Sequence, residues 1–206
     1  MSSAKGQLLR WLGDFVLNES TVRAVEIREP FATIELDPIV GVEPGDKIQV
    51  LLPSNDVRTY TPIAGSFTRL VAHLHADTPG PRWARSVRVG DRVRFKGPDR
   101  CVRLPEGRVT IVGDATSIAT ALAFAAARPG AVTALIEGSA PFEGLRSFVG
   151  EPSHTHAAIA EAIDPSSAVV LTGGSALVQG VRSHLRKRSI DAKTKAYWAP
   201  GRVGLD

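Results

Sequence analysis

Near residue 105 the spacing of apolar residues changes, and this change limits the fold more than any other feature of the chain. Before it, apolar residues alternate with polar ones in short runs, the period of half-buried strands. Residues 22–27, 31–36, 47–52, 58–61, 69–75 and 92–96 read as strands. Turn signals such as Pro44-Gly45-Asp46 and Gly90-Asp91 separate them. Residues 7–17 fit either a short helix or an additional strand. The run Thr78-Pro79-Gly80-Pro81 reads as a break, with a helix starting at Arg82. After residue 105, buried-type strands (108–112, 132–137, 168–171, 194–198) alternate with helical segments (117–127, 155–163, 176–188). That alternation predicts a parallel sheet with crossover helices. The expected architecture is an α+β two-domain chain. An antiparallel β-barrel covers residues 1–104 and an α/β nucleotide-binding domain covers 105–206.

Composition narrows the function classes. The 206 residues include one cysteine, Cys101. A disulfide framework and an all-cysteine iron–sulfur cluster are therefore excluded, and Cys101 reads as a small packing residue. No metal-ligating cluster is read. No run approaches the ~20 apolar residues of a membrane span, and the start Met1-Ser2-Ser3-Ala4-Lys5 lacks the apolar core of a secretory signal, so a cytoplasmic protein without a membrane partner is expected. Net charge is +4, with basic residues crowded at 82–103 and 182–195. Aromatic residues do not interleave with these charges, so a nucleic-acid platform is not expected; a basic rim for anionic substrates fits the same residues. A monomer is expected.

The run Arg58-Thr59-Tyr60-Thr61-Pro62 carries the densest chemistry. On an extended strand Arg58 and Tyr60 share one face and Thr59 and Thr61 the other. A guanidinium fork suits a pyrophosphate, a phenol ring suits a flat cofactor, and a threonine hydroxyl can bond a ring nitrogen or carbonyl. Gly80, Pro81, Arg82, Trp83 and Ala84 then form a turn that opens a helix, whose first amides attract phosphate oxygens. Gly113-Asp114-Ala115-Thr116-Ser117 follows a strand and opens another helix, the place where α/β sheets bind nucleotides. Gly173-Gly174-Ser175 repeats that geometry one strand later. The segment Tyr197-Trp198 closes the last strand.

Arg58 to Thr61 resembles the flavin-binding Arg-x-Tyr-Ser/Thr motif of the ferredoxin-reductase superfamily. Within that superfamily, His75-Ala76-Asp77 with Gly80-Pro81-Arg82-Trp83-Ala84, Gly113-Asp114-Ala115-Thr116 and Tyr197-Trp198-Ala199-Pro200-Gly201-Arg202 resemble, in order, signatures of the FAD-containing siderophore-interacting proteins. The chain departs from those signatures at Ala76, at Ala115, in the spacing before Trp83, and at Pro62-Ile63, where a second arginine is usual.

The resemblance implies an NAD(P)H-dependent ferric-siderophore reductase with FAD and NAD(P)H as cofactors. Its acceptor is a ferric siderophore, and ferredoxin is an alternative donor. Arg58 would meet the diphosphate, Tyr60 would stack on the flavin, and Thr61 would face the N5/O4 edge as the catalytic residue, beside Thr59. His75 either touches the flavin or is an ordinary strand-end histidine. Trp83 is better read as a packing anchor, and Arg82 as bound to phosphate or solvated. Gly113, Asp114, Thr116, Ser117, Gly173 and Gly174 would hold the nicotinamide nucleotide. Tyr197 and Trp198 would cover the flavin or simply pack. Lys195 and Arg202 are candidates for meeting an anionic acceptor. Glu137 and Ser139 are candidates for the ribose, and NADH or NADPH stays open. The rival readings are a flavin-linked reductase with another acceptor, or a non-catalytic binding module on the same fold.

Overall fold

The structure, a computed structural model, describes residues 17–200. The reading of residues 7–16, and the Gly201-Arg202 end of the last motif, lie outside them. The chain divides into two compact units between Arg103 and Leu104.

The first unit is a six-stranded antiparallel sheet. Its strands are β1 (Asn18–Arg28), β2 (Phe31–Leu36), β3 (Asp46–Leu51), β4 (Val57–Tyr60), β5 (Thr68–His73) and β6 (Arg92–Arg100). Their spatial order is β4-β3-β6-β1-β2-β5. Ile63, just past β4, exchanges both backbone hydrogen bonds with Arg69 of β5, at 2.9 Å each. That bridge ties the first strand of the order to the last and rolls the sheet into a barrel. Alternation on β2 sends Ala32, Ile34 and Leu36 inward, where they meet Val22, Ile48, Val50, Leu70 and Phe95.

A helix, α1 (Pro79–Ser86), packs Trp83 and Ala84 onto this core. It starts three residues earlier than the sequence reading placed it. Pro79 sits at the first helical turn, where its missing N–H has no intrahelical partner to lose, so the proline opens the helix instead of blocking it.

The second unit holds the parallel strands β7 (Val109–Gly113), β8 (Val132–Glu137), β9 (Leu145–Phe148), β10 (Ala168–Gly174) and β11 (Ala192–Trp198). Its helices are α2 (Ile118–Ala127), α3 (Pro152–Ala162) and α4 (Ser175–Lys187), and a 3₁₀ turn (Ala115–Ser117) leads into α2. Strand β9 was not expected. It is four residues long, half exposed at the sheet edge, and too short to show a period. The order β11-β10-β7-β8-β9 reverses direction between β7 and β10. Val112, Leu135 and Leu171 point to one face, against Ile159 of α3 and Val181 and Leu185 of α4. Their neighbours Ile111, Ile136 and Val170 are equally buried on the other face, which α2 covers with Ile118 and Phe124. Burial on both faces explains why these strands read as continuous apolar runs. No helix among the described residues is long and apolar enough to cross a membrane.

Candidate functional site

Each unit brings together residues that the sequence singled out. In the first unit, Arg58 and Tyr60 stand on the same face of β4, opposite Val50 and Ile48 of β3. The start of α1 reaches both: a β-carbon at Gly80 would touch Arg58 Cγ and Tyr60 Oη, each at 3.4 Å. Tyr60 also lies against Trp83, with ring centroids 5.5 Å apart and planes tilted by 48°. Trp83 is buried, so the structure makes it an anchor of α1. Burial pushes the Tyr60 phenol well above its ordinary range, and the nearby Arg58 charge opposes this only in part. The ring is therefore neutral at physiological pH.

Arg58 is half-buried and donates from Nη1 to the Val57 carbonyl at 2.8 Å. It has no carboxylate partner among the described residues. Two arginines of α1 do: Arg82 forms a two-pronged pair with Asp77 at 2.6 and 2.7 Å, and Arg85 pairs with Glu29 at 3.1 Å. The hydrogen bond between Arg82 and Asp77 raises the one's pKa and lowers the other's. Arg82 is thus engaged at the surface, while Arg58 keeps its remaining donors.

The start of α1 offers fewer amides than the sequence reading assumed. Pro79 and Pro81 have no N–H, and the Arg82 N–H bonds the Thr78 carbonyl at 3.0 Å. Gly80 alone supplies a free amide in that turn. Thr59 is exposed, and Thr61, one residue past β4, is half-buried. His75 is exposed, stacks on His73 with centroids 4.9 Å apart, and sits 3.3 Å through Nδ1 from the His73 carbonyl; His73 in turn stacks on Phe31. A half-buried guanidinium without a carboxylate, a neutral phenol and one free amide converge here. This donor set fits a planar ligand bearing phosphate, such as FAD.

In the second unit the carboxylate of Asp114 gathers the strand ends. Its Oδ1 accepts from the Thr116 amide at 2.9 Å and the Thr116 hydroxyl at 2.5 Å. Its Oδ2 accepts from the Gly174 amide at 2.7 Å and the Trp198 indole N–H at 3.0 Å. The turn after β7 and the ends of β10 and β11 are thereby joined through one side chain. They lie where the strand order reverses, the crevice at which open α/β sheets bind ligands.

Glycines make this closeness possible. A β-carbon on Gly113 would stand 2.1 Å from Ser117 Cβ, and one on Gly174 would stand 2.7 Å from the Trp198 ring. Gly173 has φ +103°, and a β-carbon there would meet the Asp114 carboxylate at 2.8 Å. Beneath the turn, Ser117 Oγ is buried without a hydrogen-bond partner. The Tyr197 hydroxyl lies 2.9 Å from Thr120 Oγ1 of α2. The Asp114 hub was not legible as such, because its partners Gly174 and Trp198 are 60 and 84 residues away.

No protein-family model matches the chain, and no curated protein matches it. Solved structures do resemble it. The siderophore-interacting protein SipS from Aeromonas hydrophila aligns with a TM-score of 0.67 at 23% identity, over 91% of this chain and 93% of that one. Phthalate dioxygenase reductase, described as a modular structure for electron transfer from pyridine nucleotides to [2Fe-2S], aligns with a TM-score of 0.73 at 17% identity, over 94% of this chain and 71% of that one. Full-length CYP116B46 from Tepidiphilus thermophilus aligns with a TM-score of 0.72 at 16% identity, over 88% of this chain but 29% of that one. The antiparallel six-stranded unit followed by the parallel five-stranded unit is a fold this chain shares with SipS and with phthalate dioxygenase reductase.

Proposed function

We propose that the protein is a flavin-dependent oxidoreductase that passes electrons from NAD(P)H to a ferric siderophore. The observation that carries the flavin reading is the meeting of Arg58, Tyr60 and Gly80 on one face of the barrel. Bound FAD would supply the chemistry, taking two electrons as hydride from the nicotinamide and releasing them singly to ferric iron. Arg58 would hold diphosphate oxygens with its free donors, aided by the Gly80 amide. Tyr60, kept neutral by burial, would offer its ring as a stacking surface without placing an anion beside the cofactor. Thr61 would present its hydroxyl to the flavin edge. His75 would contribute a ring contact from the end of β5. In the other unit the Gly113-to-Ser117 turn and the Gly173-Gly174 turn would receive the pyridine nucleotide, with Asp114 keeping them in register.

The ferric-siderophore acceptor is supported by the likeness to SipS over nearly the full length of both chains. The likeness to phthalate dioxygenase reductase supports a second reading, a flavin-linked reductase with another acceptor. A visible spectrum of the purified protein with and without added FAD tests the common part. Flavin bands are expected, and Arg58→Ala is expected to weaken FAD binding at least about tenfold, the loss of one charge-assisted contact. A preparation that takes up no flavin removes the proposal. Turnover of a ferric siderophore against ferricyanide, with NAD(P)H as donor, then separates the two acceptor readings.

A further inference from the structure

Beyond the Asp114 crevice, the same edge of the parallel sheet carries a carboxylate that the proposed chemistry does not use. Glu137 is the last residue of β8. Strands β7 and β8 are parallel, with Gly113 opposite Ile136, so Glu137 stands level with the start of the turn that opens α2 and about 5 Å to its side. His156 of α3 lies with Nε2 3.0 Å from Glu137 Oε1. The histidine is buried, whereas the Glu137 side chain retains 26% of its exposure. His156 has its place because position 180 of α4 is glycine: a β-carbon there would stand 2.1 Å from His156 Nδ1. Three elements, β8, α3 and α4, thus cooperate to fix one carboxylate at the carboxyl end of a strand, with its second oxygen directed to no partner among the described residues.

The chain around it contains no counter-charge for a phosphate. Residues 129–145 include no lysine or arginine, and their charged members are Glu137 and Glu143. The next cation, Arg146, is laid over the Phe148 ring at 4.9 Å. In a doubly wound sheet, an acidic residue about 20 positions after the first glycine turn bonds the ribose 2′-hydroxyl, and an arginine is needed to accommodate a 2′-phosphate. On the basis of the nucleotide-binding reading above, we infer that Glu137 selects NADH over NADPH and that His156 is the positioning residue that holds its carboxylate for the ribose.

Titration calorimetry of the full chain with ADP-ribose and with 2′-phospho-ADP-ribose tests this without flavin or turnover. The wild type is expected to bind ADP-ribose at least about tenfold more tightly than the phosphorylated probe. Glu137→Gln, which removes the charge but keeps the shape, is expected to bring the two within about threefold. His156→Leu is expected to narrow the ratio in the same way, while His156→Gln, whose amide can still donate to Glu137, keeps it. Equal affinities, or tighter binding of the phosphorylated probe by the wild type, overturn the selectivity while leaving nucleotide binding intact. An unchanged ratio in Glu137→Gln removes Glu137 from the assignment, and an unchanged ratio in His156→Leu removes the positioning role. Absence of binding by both probes overturns the nucleotide-binding reading itself, and this inference with it.

Discussion

Asp114 accepts from four donors, and two of them belong to strand ends 60 and 84 residues away. Its removal leaves the buried Gly174 amide unpaired, and Trp198, 45% exposed, loses the bond that holds its indole. Asp114→Ala should therefore cost about 1–3 kcal/mol, the usual penalty for a stranded buried donor. The tryptophan emission should shift to the red, as read against the same change made with Trp198→Phe. An unshifted spectrum would mean that the indole is held by packing alone. Tyr60 gives a second prediction. Its folded-state pKa is raised by burial, so above pH ~10, where the unfolded phenol ionises, the folded state retains a proton that the unfolded state has lost. Stability contributed by this group is present below that pH and falls as pH rises through the alkaline range. Tyr60→Phe should flatten the fall, as urea midpoints measured from about pH 9 to about pH 11 would show.

At the scale of elements, tight turns carry both the stability and the site. Gly113→Ala forces a methyl onto Ser117 Cβ at 2.1 Å, within a helix start that cannot move without disturbing the buried Ile118 and Phe124. A loss of about 1–3 kcal/mol is expected, the cost of overpacking, and a wild-type thermal midpoint would rule out the assigned closeness. These elements also show what could be read in advance. Strand β2 and helix α4 announced themselves because burial on one side stamps a period on the chain, and α2 did so through its run of alanines. Strand β9 did not, since an edge segment of four residues has no period to show. Helix α1 was placed late because Pro79 and Pro81 look like breakers in sequence and act as an opening turn in space. For the same reason the anion-binding amides expected there reduce to Gly80. Arg58, Tyr60 and Gly80 could be grouped by strand alternation, whereas the Glu137–His156 pair could not, since it joins a strand to a helix packed on its face.

At the scale of the whole molecule, the positive charge is distributed differently from its distribution along the chain. Half of the basic run at 82–103 is neutralised: Arg82, Arg85, Arg92 and Arg100 pair with Asp77, Glu29, Glu19 and Asp46. The later run is not, since among the described residues no carboxylate pairs with Arg182, Arg186, Lys187, Lys193 or Lys195. These five do not form one patch. Lys193 and Lys195 of β11 stand opposite Val170 and Thr172 of β10, so they share the face that α2 covers. Arg182 and Arg186 stand on α4, which packs on the other face. Of these, Lys195 lies toward the carboxyl end of β11, near the Asp114 crevice, and Arg186 near the far end of α4. With ferricyanide as an anionic acceptor, Lys195→Glu should therefore raise KM severalfold at low salt with kcat nearly unchanged, and Arg186→Glu should leave both alone. The difference should vanish near 1 M salt, where screening acts within about 3 Å. A response to Arg186→Glu instead of Lys195→Glu would place anion entry on the α4 face and detach it from the strand ends that Asp114 gathers.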